Sequence, residues 1–165
     1  MPGAHQFCTF YLDKLLFGVE SQRIQEVMRE VELTEVPLAP VGVRGLMNLR
    51  GQIVAALDLR SRLSLGPRPE QKAPMCVVVR TAEGGLSLLV DDIGDVVEVQ
   101  DETFERPPET LTGSVRQMIL GVHKLDRQLL HVLDTDKVCK AGDRISKLSS
   151  AVEEKRHVGV EPVAH

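Results

Sequence analysis

The sequence contains no tryptophan, one tyrosine and four phenylalanines in 165 residues, and four of these five rings fall within the first 17 positions. A dispersed set of aromatic platforms on which successive bases could stack is therefore excluded. Nor does either sign of charge dominate. Twenty Lys and Arg face 24 Asp and Glu, a formal net charge of −4, which argues against nonspecific nucleic-acid binding or a polybasic hold on a membrane surface. The longest apolar runs, Ile53-Leu57 and Met75-Val79, fall far short of the ~20 residues needed to cross a bilayer. The amino terminus, Met1-Pro2-Gly3-Ala4-His5-Gln6, lacks the basic and then apolar order of a secretory signal, so a cytoplasmic protein is expected. Cys8, Cys76 and Cys139 are odd in number and far apart, which offers no zinc or dithiol pair and fits a reducing compartment.

Catalytic signatures are missing as well. His5, His123, His131, His157 and His165 have no metal-ligand spacing to one another or to the cysteines. No nucleophile elbow, phosphate loop or dinucleotide fingerprint occurs, and Gly84-Gly85 reads as a hairpin turn. Asp91-Asp92 lacks the remaining ligands of a calcium loop, so both residues are read as capping or solvated carboxylates. The expectation is no catalytic residue, no metal and no cofactor.

What remains is a chain long enough for one globular domain, or two very small ones, with 42% hydrophobic residues to build a core. Residues 6–19 alternate apolar and polar around Asp13-Lys14, the pattern of a hairpin. Ser21 is then expected to cap a short helix with Ile24, Val27 and Met28 on its buried face. Pro37 and Pro40 bound a rigid, non-helical crossing. A second hairpin runs from Val43 to Asp58 with Arg50-Gly51 as its turn, and the segment from Gly66 to Pro74 reads as a linker.

The second half repeats the first. Met75-Arg80 and Gly85-Val90 form another hairpin, followed by an element from Asp91 to Val96 in which Ile93 and Val96 are spaced as Ile24 and Val27 are. Leu49-x-x-Gln52-Ile53-Val54-Ala55-Ala56-Leu57-Asp58 aligns with Leu125-x-x-Gln128-Leu129-Leu130-His131-Val132-Leu133-Asp134. A duplication of this kind predicts a mainly β protein of two similar small barrels packed together, with short helices. Residues 6–65 form the first repeat, 66–74 the linker and 75–149 the second repeat, with exchange of strands between barrels allowed. Residues 140–149 could add a terminal helix, and 150–165 read as a disordered tail.

Charge divides unevenly along this repeat. Residues 43–72 carry Arg44, Arg50, Arg60, Arg62, Arg68 and Lys72 against Asp58 and Glu70, whereas residues 83–109 carry nine carboxylates against Arg106. Opposed patches of this sort can orient two different partners.

From about Gln6 to Ser149 the chain resembles the CheW family of bacterial chemotaxis coupling proteins. The resemblance is strongest from Gly45 through Asn48-Leu49-Arg50-Gly51 to Asp58-Leu59-Arg60. It is also carried by Phe17-Gly18-Val19-Glu20 leading to Ile24-Gln25-Glu26-Val27, and by Leu89-Val90-Asp91 leading to Ile93-Gly94-Asp95-Val96. Ala55, Ser87 and Asp92 depart from the family pattern, standing for a proline and two glycines. The resemblance implies a single domain of two five-stranded SH3-like barrels joined through an apolar seam, acting as a non-catalytic scaffold. Its implied partners are the cytoplasmic tips of chemoreceptors and the regulatory domain of a CheA-type histidine kinase, without nucleic acid or membrane insertion.

By the same resemblance a receptor-binding groove holds Ile24, Glu26, Val27, Arg50, Ile93 and Val96, with Glu26 and Arg50 joined by two parallel hydrogen bonds. Arg44, Gly45, Arg50 and Gly51 form the groove rim and the kinase interface. Pseudosymmetry is expected to bring the two Ile/Val pairs face to face as an apolar strip for a receptor helix. The alternative function is a small ligand-binding or enzymatic β-barrel protein that uses the pocket between the barrels.

Overall fold

Among the described residues every strand but three finds its partner in a hairpin, and the four hairpins are shared two and two between two sheets. The computed structural model describes residues 3–140 apart from 30, 40, 41, 70–72 and 83; the expected terminal helix beyond 140 and the expected tail lie outside the described residues. The first half supplies β1 (Ala4–Leu12), β2 (Leu15–Glu20), β3 (Ile24–Met28), β4 (Val43–Leu49), β5 (Gln52–Asp58) and the short α1 (Leu59–Arg62). The second half supplies β6 (Met75–Thr81), β7 (Gly84–Val90), β8 (Asp92–Gln100), β9 (Phe104–Glu105), α2 (Gly113–Gln117), β10 (Ile119–Lys124), β11 (Leu129–Leu133) and α3 (Thr135–Lys140). One sheet runs β8-β1-β2-β11-β10-β9 and the other β3-β6-β7-β5-β4. Each sheet therefore mixes strands from both halves, joined in the middle by a parallel pair, β2 with β11 and β5 with β7.

The duplication is written into the register. Ala55 and Ala56 oppose Leu86 and Ser87 across one parallel pair, and His131 and Val132 oppose Phe17 and Gly18 across the other. Counting outward from these pairs, Ile24 opposite Val79 corresponds to Ile93 opposite Phe10. The bulge beside Ile24 recurs beside Ile93, and the bulge between Val43 and Gly45 recurs between Ile119 and Gly121. At this second bulge both copies need glycine: a Cβ at Gly45 would sit 2.5 Å from the Thr34 carbonyl oxygen, and one at Gly121 would sit 2.5 Å from that of Glu105. Thr34 bridges Leu46 as β9 bridges β10, so the sixth strand of one sheet survives in the other as a single bridge.

Two expected short helices are strands. Ser21–Arg23 makes one 3-10 turn without a side-chain cap, and Ile24–Met28 continues as β3; Asp92–Gln100 is nine residues of β8. The β-branched Ile24, Val27, Ile93, Val96, Val97 and Val99 favour a pleated surface. A free strand edge on β6 and on β1 completes the choice by offering backbone partners. Asp92 stands in ordinary extended backbone, outside the left-handed region.

The two unbroken apolar runs are explained by burial on both faces. In β5 and β6, Ala55, Leu57, Val77 and Val79 join a core shared by both sheets, whereas Val54, Ala56, Cys76 and Val78 pack on the opposite face with Met47, Leu49 and Leu89. The other sheet has its own second cluster, built from Phe7, Leu16, Val99, Leu130 and Val132. The shared core also holds Phe10, Leu12, Phe17, Leu86, Leu88, Val90, Ile119 and Leu133. The seam in which a ligand-binding barrel would place its pocket is thus filled with side chains.

Two histidines sit inside this packing. His131 occupies the place of Ala55 in the other copy; its ring lies 5.4 Å from that of Phe17, and its Nδ1 donates to the Leu16 carbonyl at 2.8 Å. His123 lies between the rings of Phe7 and Phe104, and its Nδ1 meets the Thr103 hydroxyl at 2.9 Å. Burial pushes both imidazoles below the ordinary value of 6.5; the hydrogen bond to Leu16 partly opposes this at His131, and the charge of His5 reinforces it at His123. The unfolded chain therefore binds protons that the folded chain refuses, so stability present above pH 6.5 is lost as pH falls through it. Urea midpoints measured from pH 7.5 to 5.5 are expected to fall, and His131→Gln is expected to flatten part of that slope.

Candidate functional site

The turn joining β4 to β5 has two residues, because Leu49 pairs with Gln52. Both are left-handed, Arg50 at φ 50° and Gly51 at φ 89°, the geometry that matches the twist of the flanking strands. Glycine adopts it freely and arginine does not; an L residue there costs roughly 1–2 kcal/mol. The Asn48 side chain accepts from Gly51 N at 2.9 Å and holds the turn closed. Arg50 extends into solvent, its side chain 81% exposed, and its Nη2 donates to Glu26 Oε1 at 3.1 Å. One hydrogen bond joins the pair, where two parallel ones were expected. Glu26 belongs to β3, at the far end of the same sheet order, so the contact links the sheet's outermost hairpin to its opposite edge.

The expected apolar strip divides. The bulge in each strand keeps the pair on one face, since Ile24 and Val27 oppose Val79 and Val77, and Ile93 and Val96 oppose Phe10 and Cys8, so what separates the members is how far each is covered. Ile24 and Ile93 pack against the shared core, while Val27 is 42% and Val96 56% exposed. Both exposed valines lie on end strands, β3 and β8. On the rim, Arg44 is largely exposed and reaches no closer than 4.0 Å to Asp58, and Gly45 holds the left-handed φ of 155° demanded by its bulge.

Among the described residues the most heavily hydrogen-bonded cation is Arg60, which the sequence marks only as part of the basic stretch 43–72. Arg60, in the first turn of α1, is buried. Its Nε donates to Asp91 Oδ1 at 2.8 Å and its Nη2 to Asp91 Oδ2 at 2.5 Å and to Asp13 Oδ1, while Nη1 donates to the Pro67 carbonyl at 3.1 Å. Arg68 adds a second guanidinium on Asp91 at 3.1 Å, and the amide of Asp13 a third donor at 2.8 Å. Asp58 aims the guanidinium from below by accepting the Arg60 amide at 3.0 Å. Burial alone would raise the Asp91 carboxyl, but the hydrogen bonds from Arg60, Asp13 and Arg68 and the charge of Arg60 outweigh it and hold it at about 2. Arg60 itself is held well above its ordinary range, chiefly by its hydrogen bond to Asp91.

Two expectations change here. Asp91 is neither a capping nor a solvated carboxylate, because it sits inside an ion-pair network. Arg60, Arg68 and Asp91 also lie indoors, paired with one another and with Asp13, so they add nothing to the opposed charged surfaces read from the sequence. The linker is pinned at its start, since Arg60 holds the Pro67 carbonyl and Arg68 lies within the network. No spacing rule could have found these contacts, because the groups come from positions 13, 58, 60, 68 and 91.

Among the described residues no group of His, Cys, Asp and Glu could hold a metal ion, and no helix is long and apolar enough to cross a membrane. Against known proteins, the family model described as the CheW-like domain matches residues 6–142. Chemotaxis protein CheW of Treponema pallidum is 28% identical over 137 residues, covering 81% of each chain. That of Thermotoga maritima is 26% identical over 130 residues, covering 79% of this chain and 84% of the relative. The crystal structure of scaffolding protein TtCheW from Thermoanaerobacter tengcongensis superposes with a TM-score of 0.70 at 26% identity, over 78% of this chain and 88% of that one.

Removing one partner of the buried pair is expected to be costly, since it strands the other charge. Asp91→Asn should lower the unfolding free energy by about 3 kcal/mol in urea titrations at pH 7, whereas Arg60→Met combined with Asp91→Leu should recover much of that loss. The Asp91 contribution is present above the ordinary carboxyl value of 3.8 and is lost as pH falls toward 2.

Proposed function

Because the chain belongs to the CheW-like domain family, we propose that it is a non-catalytic adaptor that couples the cytoplasmic tips of chemoreceptors to the regulatory domain of a CheA-type histidine kinase. It works at the cytoplasmic face of receptor arrays, reached through its partners. Its relatives carry chemotaxis names and its structural neighbour is called a scaffolding protein. The effect of such a protein comes from holding two partners at high effective concentration.

The observation that carries this reading is the Arg50-Gly51 turn. Arginine occupies a left-handed position for which asparagine or glycine is better suited, and its charge stands in solvent against a single carboxylate. Backbone strain kept at an exposed position is characteristic of a binding site. Arg50, steered by Glu26, is assigned to the groove rim, with Gly51 beside it and Arg44 and Gly45 at the other end of β4 on the kinase side. Val27 and Val96 are assigned to the receptor face as its apolar contacts. Ile24 and Ile93 anchor the same strands to the core.

Arg50→Asn separates stability from binding. Asparagine suits this turn, so unfolding free energy is expected to rise by roughly 0.5–1 kcal/mol, while pull-down of receptor fragment and kinase is expected to drop. Unchanged recovery of both partners would remove Arg50 from the site. Val27→Glu and Val96→Glu should keep one cooperative thermal transition, because both side chains are exposed, and should abolish co-sedimentation with receptor arrays. Full co-sedimentation by both variants would overturn the receptor-face assignment.

A further inference from the structure

We propose that the cavity of about 360 Å³ beside α1 is a binding site for a single oxyanion of the phosphate or carboxylate type. It is lined by three arginines, Arg44, Arg60 and Arg68, and two serines, Ser61 and Ser64, against one acidic residue, Asp58. The other two carboxylates of the network, Asp13 and Asp91, are not part of this wall, so they neutralise Arg60 from behind. That leaves Arg44, Arg68 and Ser61 against Asp58 along the wall, with the Ser64 hydroxyl meeting that of Ser114 at 3.0 Å, a composition suited to charge-assisted hydrogen bonds.

Two of the three arginines have donors to spare. Arg68 is more than nine-tenths buried, yet its Nη2 has no hydrogen-bond acceptor; the neighbouring Asp58 Oδ1 lies 3.8 Å away. Arg44 approaches Asp58 Oδ2 only to 4.0 Å, beyond hydrogen-bond distance. Both gaps open around the same carboxylate, whose Oδ1 is occupied by the Arg60 amide. An oxyanion seated between Arg44 and Arg68 supplies the acceptors that this ring of donors lacks.

The duplication provides an internal control. By the register of the two copies, Arg44, Asp58, Arg60 and Ser61 correspond to Leu120, Asp134, Asp136 and Lys137, and these four line a second cavity, also of about 360 Å³. The shape therefore belongs to the fold, whereas the excess of cations belongs to one copy: Arg44, Arg60 and Arg68 stand against Asp58 in the first cavity, and Arg23 and Lys137 against Glu20, Asp134 and Asp136 in the second. The inference stands apart from the adaptor reading, since it concerns the isolated chain.

The test is an amide NMR titration of the full chain at constant ionic strength, with sodium phosphate replacing sodium chloride, and a second arm with tetraglutamate against tetraglutamine. Saturable shifts are expected at Ser61 and Ser64 and not around Leu120 and Lys137, with Arg44→Gln raising the half-saturating concentration about tenfold or more, the loss of one charge-assisted bond. Arg44 is exposed, so the variant is expected to fold. Saturation by phosphate identifies a free-anion site; saturation by tetraglutamate alone identifies the same chemistry carried on an acidic protein surface. Linear shifts with both probes, equal shifts at both cavities, or shifts indifferent to Arg44→Gln would overturn the proposal. None of these readouts involves receptor or kinase, so such a failure leaves the adaptor assignment where it was.

Discussion

A single buried guanidinium ties together segments that the chain keeps far apart. Arg60 fastens the β1–β2 turn through Asp13, the end of β7 through Asp91 and the start of the linker through Pro67. Asp13 belongs to one sheet's hairpin, whereas α1 and Asp91 follow strands of the other. The apolar core favours bringing the two sheets together but is indifferent to small sliding displacements, because dispersion and burial are non-directional. A fork of fixed N–H groups on carboxylates is directional. The network therefore sets how one sheet sits on the other, and its cost in desolvation is the cost of that specificity.

The other copy keeps the tie and inverts it. Asp136 stands where Arg60 stands, and its partner is Arg23, one residue from the counterpart of Asp91; the pair meets at 3.2 Å with Asp136 well exposed. A surface pair of this kind contributes ~0–1 kcal/mol, so the two halves are not held equally. The junction is pinned on the α1 side, by a buried network, and left to packing on the α3 side. This asymmetry places firm geometry beside the Arg50 hairpin, which shares β5 with α1 as its continuation.

Much of this was legible in the residues. Hairpins at Asp13-Lys14 and Arg50-Gly51 follow from turn chemistry, and the duplication follows from aligning Gln52–Asp58 with Gln128–Asp134. The continuous run Ile53-Leu57 announced a strand buried on both faces. Misreading began where two periodicities coincide. Ile24 and Val27 are three apart, which is helical spacing, but a bulge beside Ile24 accommodates an extra residue in the strand and the pairing edge of β6 decides the outcome. Coverage then differs along one face of each strand, leaving exposed valines beside core-packed isoleucines where one apolar strip was expected. The Arg60 network was illegible for a different reason: five charged residues spread over positions 13–91 leave no local pattern, and only the folded register brings them within hydrogen-bond or ion-pair reach of one another.

The deeper constraint is that a duplicated backbone can diverge only where side chains are not holding strands together. Gly45 and Gly121 cannot change, because a carbonyl of the neighbouring segment occupies the space of a Cβ in both copies. Ala55 and His131, in contrast, occupy one place in the shared core, and the histidine is accepted because the Leu16 carbonyl takes its proton donor. At the surface the freedom is wider. The left-handed turn after β4 holds Arg50-Gly51, whereas the turn after β10 is built from Asp126 and Arg127 without a left-handed residue. Arg44 and Leu120 likewise mark matching rims with opposite chemistry. A protein that must present different faces to different partners can therefore be made from one unit used twice: the bulges and parallel pairs preserve the frame, and the turns and rims carry the difference.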